Sequence, residues 1–116
     1  MVDLKELQNR VIAFRDVRDW KQFHNQKDMA LSLVLEAAEV LEHFQWKATK
    51  TDIDKYVKAH KKELGEELAD VLYWVLAMSH DLGIDLKKAF EQKMTKNAKK
   101  YPIKKARGKR TKYTKL

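Results

Sequence analysis

The chain has no cysteine, which excludes disulfides, thiolate zinc sites and thiol nucleophiles. Glycine and proline are nearly absent, three and one in 116 residues, and abundant Leu, Ala, Glu and Lys favour helix throughout. No apolar stretch is long enough to span a bilayer, and no N-terminal run resembles a signal peptide. A cytoplasmic protein without a membrane partner is the expectation. Acid is missing after Glu91, while ten Lys or Arg fall between Lys96 and Lys115. Residues 1–95 hold 15 basic and 17 acidic side chains, so the formal charge of +8 belongs to the C-terminal segment. Such a segment can bind a polyanion or form a solvated tail docked on a neighbouring subunit. No base-reading motif accompanies the charge, and nucleic acid is not expected as a partner.

What is present is helical patterning over a single domain of 1–102, followed by a basic tail of 103–116. Leu4, Leu7, Val11 and Phe14 are spaced for one face of a helix over 3–17. Arg18 to Asn25 breaks the pattern and reads as a connector. Asp28 is the expected N-cap of a second helix, 28–45. There Leu33, Ala37, Val40, Leu41 and Phe44 form one stripe, while Leu31, Leu35, Ala38 and Trp46 lie elsewhere on the wheel. A helix apolar nearly all round is buried on more than one side. Thr51, Asp52 and Asp54 can start a third helix, 53–80, although 52–60 can also form a separate short turn. Its core stripe is Leu64, Leu68, Val71, Leu72, Val75 and Leu76. Gly83 is a C-terminal stop and Asp85 the next N-cap, for a fourth helix over 86–100 that Tyr101-Pro102 ends. The reading is an all-α four-helix bundle with an extended basic tail.

Two acid pairs stand within this frame, Glu36-Ala37-Ala38-Glu39 and Glu67-Leu68-Ala69-Asp70. Acids three apart share a helix face. Glu39 and Glu67 are centred on Ile53, and so are Glu36 and Asp70. An antiparallel hairpin therefore brings all four carboxylates to one level. Clustered carboxylates between apolar positions demand a cation, and a hard divalent ion, Mg²⁺ above all, suits oxygen ligands. Lys93, Asn97 and Lys100 share a face of the fourth helix and suit phosphate oxygens. Trp20, Phe23, His24, Trp46 and Trp74 can stack on, or hydrogen-bond to, a base. No P-loop, dinucleotide-binding glycine fingerprint or HExxH motif is present. A ferritin-like di-iron centre asks for Glu-x-x-His pairs; the second pair here ends in Asp70, and His43 is four residues from Glu39.

Arg18-Asp19-Trp20 with Gln22-Phe23-His24, Glu36-x-x-Glu39, Phe44-Gln45-Trp46, Glu66-Glu67-Leu68-x-Asp70-Val71, Ile84-Asp85-Leu86 and Lys93-x3-Asn97-x2-Lys100-Tyr101-Pro102 occur in order. Over about residues 4–102 this series resembles the dCTP pyrophosphatase branch of the MazG-like, all-α nucleotide pyrophosphohydrolases. The resemblance implies a homodimer or homotetramer with active sites shared between subunits. It implies Mg²⁺-dependent cleavage, with Mn²⁺ able to substitute, of a nucleoside triphosphate such as dCTP or a modified dCTP to the monophosphate and pyrophosphate. By position, Glu36, Glu39, Glu67 and Asp70 are the implied catalytic metal ligands. Trp20, His24, Trp46 and Trp74 are the implied base and sugar pocket, and Lys93 and Asn97 meet the nucleotide or its phosphates. Two departures bear on base preference: Gln26 stands where many relatives have proline, and Val11 where some have a substrate-touching histidine. The contrasting reading is a helical nucleic-acid-binding or adaptor protein acting through the basic tail.

Overall fold

The structure, a computed structural model, describes residues 3–116, and among these there are helices and turns but no strand. Six α-helices are formed. α1 is Leu4–Asp16 and α2 Gln26–Glu42; α3 is Lys50–Ala59, α4 Lys61–Asp81, α5 Leu86–Lys100 and α6 Ile103–Ala106. The chain divides into two compact units, one ending at Gly83 and the other beginning at Ile84.

Local chemistry accounts for most of the boundaries. Asp3 caps α1, its carboxylate accepting from the Glu6 N–H at 2.9 Å. The connector after α1 carries a 3₁₀ turn over Lys21–Phe23. α2 begins earlier than expected, because Asn25 and not Asp28 is the N-cap. The Asn25 side chain accepts from the Asp28 N–H at 2.9 Å, and Asp28 sits in the first turn, where an acid favours the helix dipole. α2 also closes at Glu42, short of the expected Gln45.

The expected third helix is two helices. Thr49 caps α3 by accepting from the Asp52 N–H at 3.1 Å, and the break falls at His60 (φ −124°, ψ 27°). His60 is held there by its own ring, which stacks 4.0 Å from Tyr56 and hydrogen-bonds the Tyr56 carbonyl at 3.0 Å. Neither glycine nor proline marks this break. The end of α4 is as expected. Gly83 takes the left-handed conformation (φ 67°) and Asp85 caps α5, accepting from the Lys88 N–H at 3.1 Å.

In the first unit α4 is the central element, packed chiefly on α2, then on α1 and α3. α2 and α4 run antiparallel: His43 meets Glu67, Glu36 meets Asp70, and His24 meets Trp74 further along α4. Among the described residues Met29, Leu64, Leu76 and Ala77 are the buried apolar ones. Leu41, Leu68 and Leu72, read as core stripe, are exposed, Leu41 to 70%. Two packed helices cover only the sides they turn to each other. Leu31, Val34 and Leu35 are more than half exposed as well, so the expected burial of α2 on more than one side is not met within the single chain.

The buried polar residues lie where α1 meets α4. Gln8 Nε2 donates to the Leu76 carbonyl at 3.1 Å and to Ser79 Oγ at 3.0 Å. Arg15, 1% exposed, makes a two-pronged pair with Asp81 at 2.7 and 3.0 Å. In the second unit, residues read as an extended tail contain α6 and a 3₁₀ turn over Tyr113–Lys115. Tyr113 packs edge-on to Tyr101 at 5.9 Å, and Lys100 Nζ lies 4.8 Å from the Tyr113 ring. The aromatic contact draws this segment back, so it is not extended throughout.

Candidate metal centre and adjoining cavity

The antiparallel α2–α4 pair brings three of the four acids spaced about Ile53 together. Glu36, Glu67 and Asp70 offer carboxylate oxygens that all lie within 4.8 Å of one another. Glu39, on the same helix as Glu36, acts on both Glu36 and Glu67 and raises their pKa values. The cluster is electrostatically unrelieved. Burial, then the hydrogen bond and charge of Glu39, then the charges of Asp70 and Glu67 push the Glu36 carboxyl above its usual value. Glu67 is pushed up as well, first by the hydrogen bond with Glu39, then by burial and the Glu39 charge; His43 opposes this without cancelling it.

Two buried oxygens, Glu36 Oε2 and Glu67 Oε2, have no hydrogen-bond partner. Among the described residues no Lys or Arg pairs with any of the four acids. An all-oxygen donor set with unpartnered, mutually repelling carboxylates fits a hard divalent cation. It does not fit zinc or iron bound through imidazole and thiolate.

Asp70 also lies on the wall of a cavity of about 700 Å³, within the range of small-molecule sites. Trp20, Trp74, Tyr73, Phe14, Val11 and Arg10 line it with other residues of α1 and α4. The rings form a continuous wall. Trp20 meets Phe14 at 5.7 Å, Phe14 meets Tyr73 at 6.2 Å, Tyr73 meets Trp74 at 5.1 Å, and Trp74 meets His24 at 5.2 Å. These edge-to-face contacts hold the rings in fixed relative tilt. His24 Nδ1 and Tyr73 Oη are buried without a partner. Burial and, next, the Arg15 charge lower the His24 pKa, so His24 brings a neutral ring to this wall.

The structure thus brings Glu36, Glu39, Glu67, Asp70, Trp20, His24 and Trp74 into one region. Trp46 is elsewhere, 91% exposed and in a left-handed conformation (φ 69°) just beyond α2. Lys93 and Asn97 belong to the second unit, where they share a face of α5 with Lys100. Gln26, where proline was noted in relatives, is the first residue of α2, and Val11 is part of the cavity wall. Sequence reasoning missed Arg10 and Tyr73 as lining residues. The adjacency of Tyr73 to Trp74 and the helical spacing of Arg10 from Phe14 were the available signals.

Comparison with known proteins bears on what this arrangement is. The MazG-like family model matches residues 31–116. Mouse (Mus musculus) dCTP pyrophosphatase 1 is 36% identical over 114 residues, covering 97% of this chain and 67% of that protein. The human (Homo sapiens) protein of the same name is 35% identical with the same coverage. The crystal structure of a pyrophosphatase from Archaeoglobus fulgidus superposes with a TM-score of 0.82 at 36% identity, over 88% of this chain and 94% of that one. The acid cluster, the all-α architecture and these likenesses agree, and the chain belongs to the MazG-like family.

Proposed function

We propose that this nucleotide diphosphatase is a Mg²⁺-dependent nucleoside triphosphate pyrophosphohydrolase acting on dCTP, or on dCTP modified at its base, to release the monophosphate and pyrophosphate. The observation that carries the reading is that Asp70 belongs to the acid cluster and to the aromatic-walled cavity at once. A cavity of this kind accepts a flat base, and the acids at its edge meet the charged end of the same molecule.

Glu36, Glu39, Glu67 and Asp70 are the residues that would hold the ion, Mg²⁺ or Mn²⁺ in its place. When bound, it supplies Lewis-acid chemistry, neutralising phosphate oxygens and acidifying water for in-line attack at phosphorus. Trp20 and Trp74 flank the base. His24 turns its unpaired Nδ1 to a polar group of the base or sugar, and Lys93 and Asn97 serve the nucleotide or its phosphates. Residues 1–102 form the working domain and 103–116 its basic extension. The family match runs through residue 116, which favours the enzyme over an adaptor working through an appended tail.

The same reading includes a homodimer or homotetramer in the cytoplasm. Leu31, Val34 and Leu35 of α2 and Leu68 of α4 are more than half exposed, apolar side chains that a neighbouring copy would cover. Exposed Trp46 then completes the base pocket of a neighbouring copy. No helix among the described residues is long and apolar enough to cross a membrane.

Incubation of the pure protein with single canonical and modified dNTPs and Mg²⁺ tests the proposal. Pyrophosphate is the expected product, with the highest kcat/KM for a cytosine nucleotide. Orthophosphate alone, or no turnover with any of them, overturns it.

A further inference from the structure

His43 and Tyr56 lie outside the acid cluster and the cavity, yet they are joined to both α3 and the cluster. His43, at the end of α2, has its Nδ1 2.6 Å from the Tyr56 hydroxyl on α3 and its Nε2 3.6 Å from Glu67 Oε1 on α4. The first is a short hydrogen bond. The second is an ion-pair distance, a few tenths of an ångström beyond a hydrogen bond.

The protonation pattern follows from these neighbours. An unprotonated Nε2 would set a lone pair against a carboxylate. Nε2 therefore carries a proton, and in the neutral ring Nδ1 accepts from the Tyr56 O–H. Tyr56 is itself fixed. His60 stacks on it at 4.0 Å with planes 15° apart, Lys47 Nζ lies 4.2 Å from its ring, and Phe44 meets it edge-on at 6.1 Å. Glu67 has one oxygen facing His43, while the other, Oε2, is buried with no partner.

We infer that His43, held in one tautomer by Tyr56, is a positioning residue that fixes Glu67 Oε1 and so presents Oε2 as the metal-ligating atom. The inference rests on the reading of the acid cluster as a divalent-cation site. It also gives the unexpected helix α3 a task, because α3 carries Tyr56. Outer partners of this kind orient metal ligands, and their loss lowers metal affinity about 10- to 100-fold.

The test is Mn²⁺ affinity of the full chain, read by the loss of the free-ion EPR signal, without nucleotide. His43→Leu is expected to weaken binding about 10-fold. His43→Gln, whose amide N–H takes the place of the Nε2–H facing Glu67, is expected to recover most of that loss. Tyr56→Phe keeps the stacked ring but removes the donor. It is expected to weaken binding by a smaller factor and to move the His43 ring-nitrogen NMR shifts from a single Nε2–H tautomer toward a mixture. Unchanged Mn²⁺ affinity in both His43→Leu and Tyr56→Phe overturns the positioning role and leaves the metal site standing. A Gln variant no better than Leu also overturns it. Failure of the unmutated chain to bind Mn²⁺ overturns the metal site itself and this inference with it.

Discussion

α4 carries two polar regions that look alike in composition and differ in what their atoms find. Near its end, Gln8 with Ser79 and Arg15 with Asp81 form two hydrogen-bonded groups between α1 and α4. Toward its start, Glu67 and Asp70 meet Glu36 of α2, and among the described residues the imidazole of His43 is the one basic side chain within ion-pair distance of them. Among the described residues, five buried side-chain nitrogen or oxygen atoms lack a partner, and four of them belong to the acids or to the aromatic wall beside them. The fifth, Arg15 Nε, lies 3.7 Å from Asp16. Satisfied buried polarity fixes the docking of α1, whereas unsatisfied polarity marks the place a ligand completes. Titration follows the same division. Burial raises the Asp81 pKa, but the hydrogen bonds from Arg15 and His80 lower it further, and the net shift is downward. Glu36 and Glu67 are shifted upward.

The comparison breaks most visibly in activity. Glu39→Gln and Asp70→Asn should each reduce turnover about 1,000-fold or more, the loss expected when several kcal/mol of metal-derived stabilisation disappears. The helical CD spectrum should survive, and full activity in both would place the metal elsewhere. Next in size is Arg15→Ala, which strands Asp81 in a buried setting and should cost about 3 kcal/mol in urea unfolding. Its pH dependence has a definite sign. Because the folded pKa of Asp81 is depressed, the stability it contributes is present above the usual carboxylate range and is lost as pH falls below it. Arg15→Ala should flatten that acid-side decline.

These two regions were not equally legible in the sequence. The acid pairs declared themselves because helical spacing and the symmetry about Ile53 are local arithmetic, and the antiparallel α2–α4 pair obeys it. Gly83 and Asp85 did so because backbone handedness and capping act within a few residues. Arg15 gave no such sign. Its partner Asp81 is 66 positions away, and an arginine on an amphipathic helix reads as surface. The break at His60 was legible only as the alternative of a separate 52–60 turn, since ring stacking on Tyr56 does the work usually left to glycine or proline. Asn25 and Asp28 are both good caps, and only the backbone shows which one closes the first turn. The exposure of Leu41, Leu68 and Leu72 depends on what covers them, which helical periodicity does not report.

Metal addition sharpens the contrast with a somewhat smaller effect. Mg²⁺ at about 100 times its dissociation constant should stabilise the folded chain by about 2.7 kcal/mol, seen as a rise in Tm. Glu36→Gln should abolish most of that rise. It should also raise the metal-free Tm, because a carboxylate whose folded pKa is raised destabilises the fold as pH climbs through that pKa. A metal-free variant less stable than the unmutated chain would mean that Glu36 has a structural partner after all.

Ser79→Ala is the smallest test and the cleanest counterpart. Ser79 Oγ donates to the Leu76 carbonyl at 3.0 Å and accepts from Gln8 Nε2. Removing the hydroxyl leaves Gln8 Nε2 bonded to the same carbonyl at 3.1 Å, so no donor is wholly stranded. The cost should be about 1 kcal/mol, the net worth of one hydrogen bond. Turnover and Mg²⁺ affinity should not move. Glu36→Gln should do the reverse, gaining metal-free stability while losing metal binding and turnover. If Ser79→Ala instead weakened Mg²⁺ binding, the two ends of α4 would have to be treated as one coupled site.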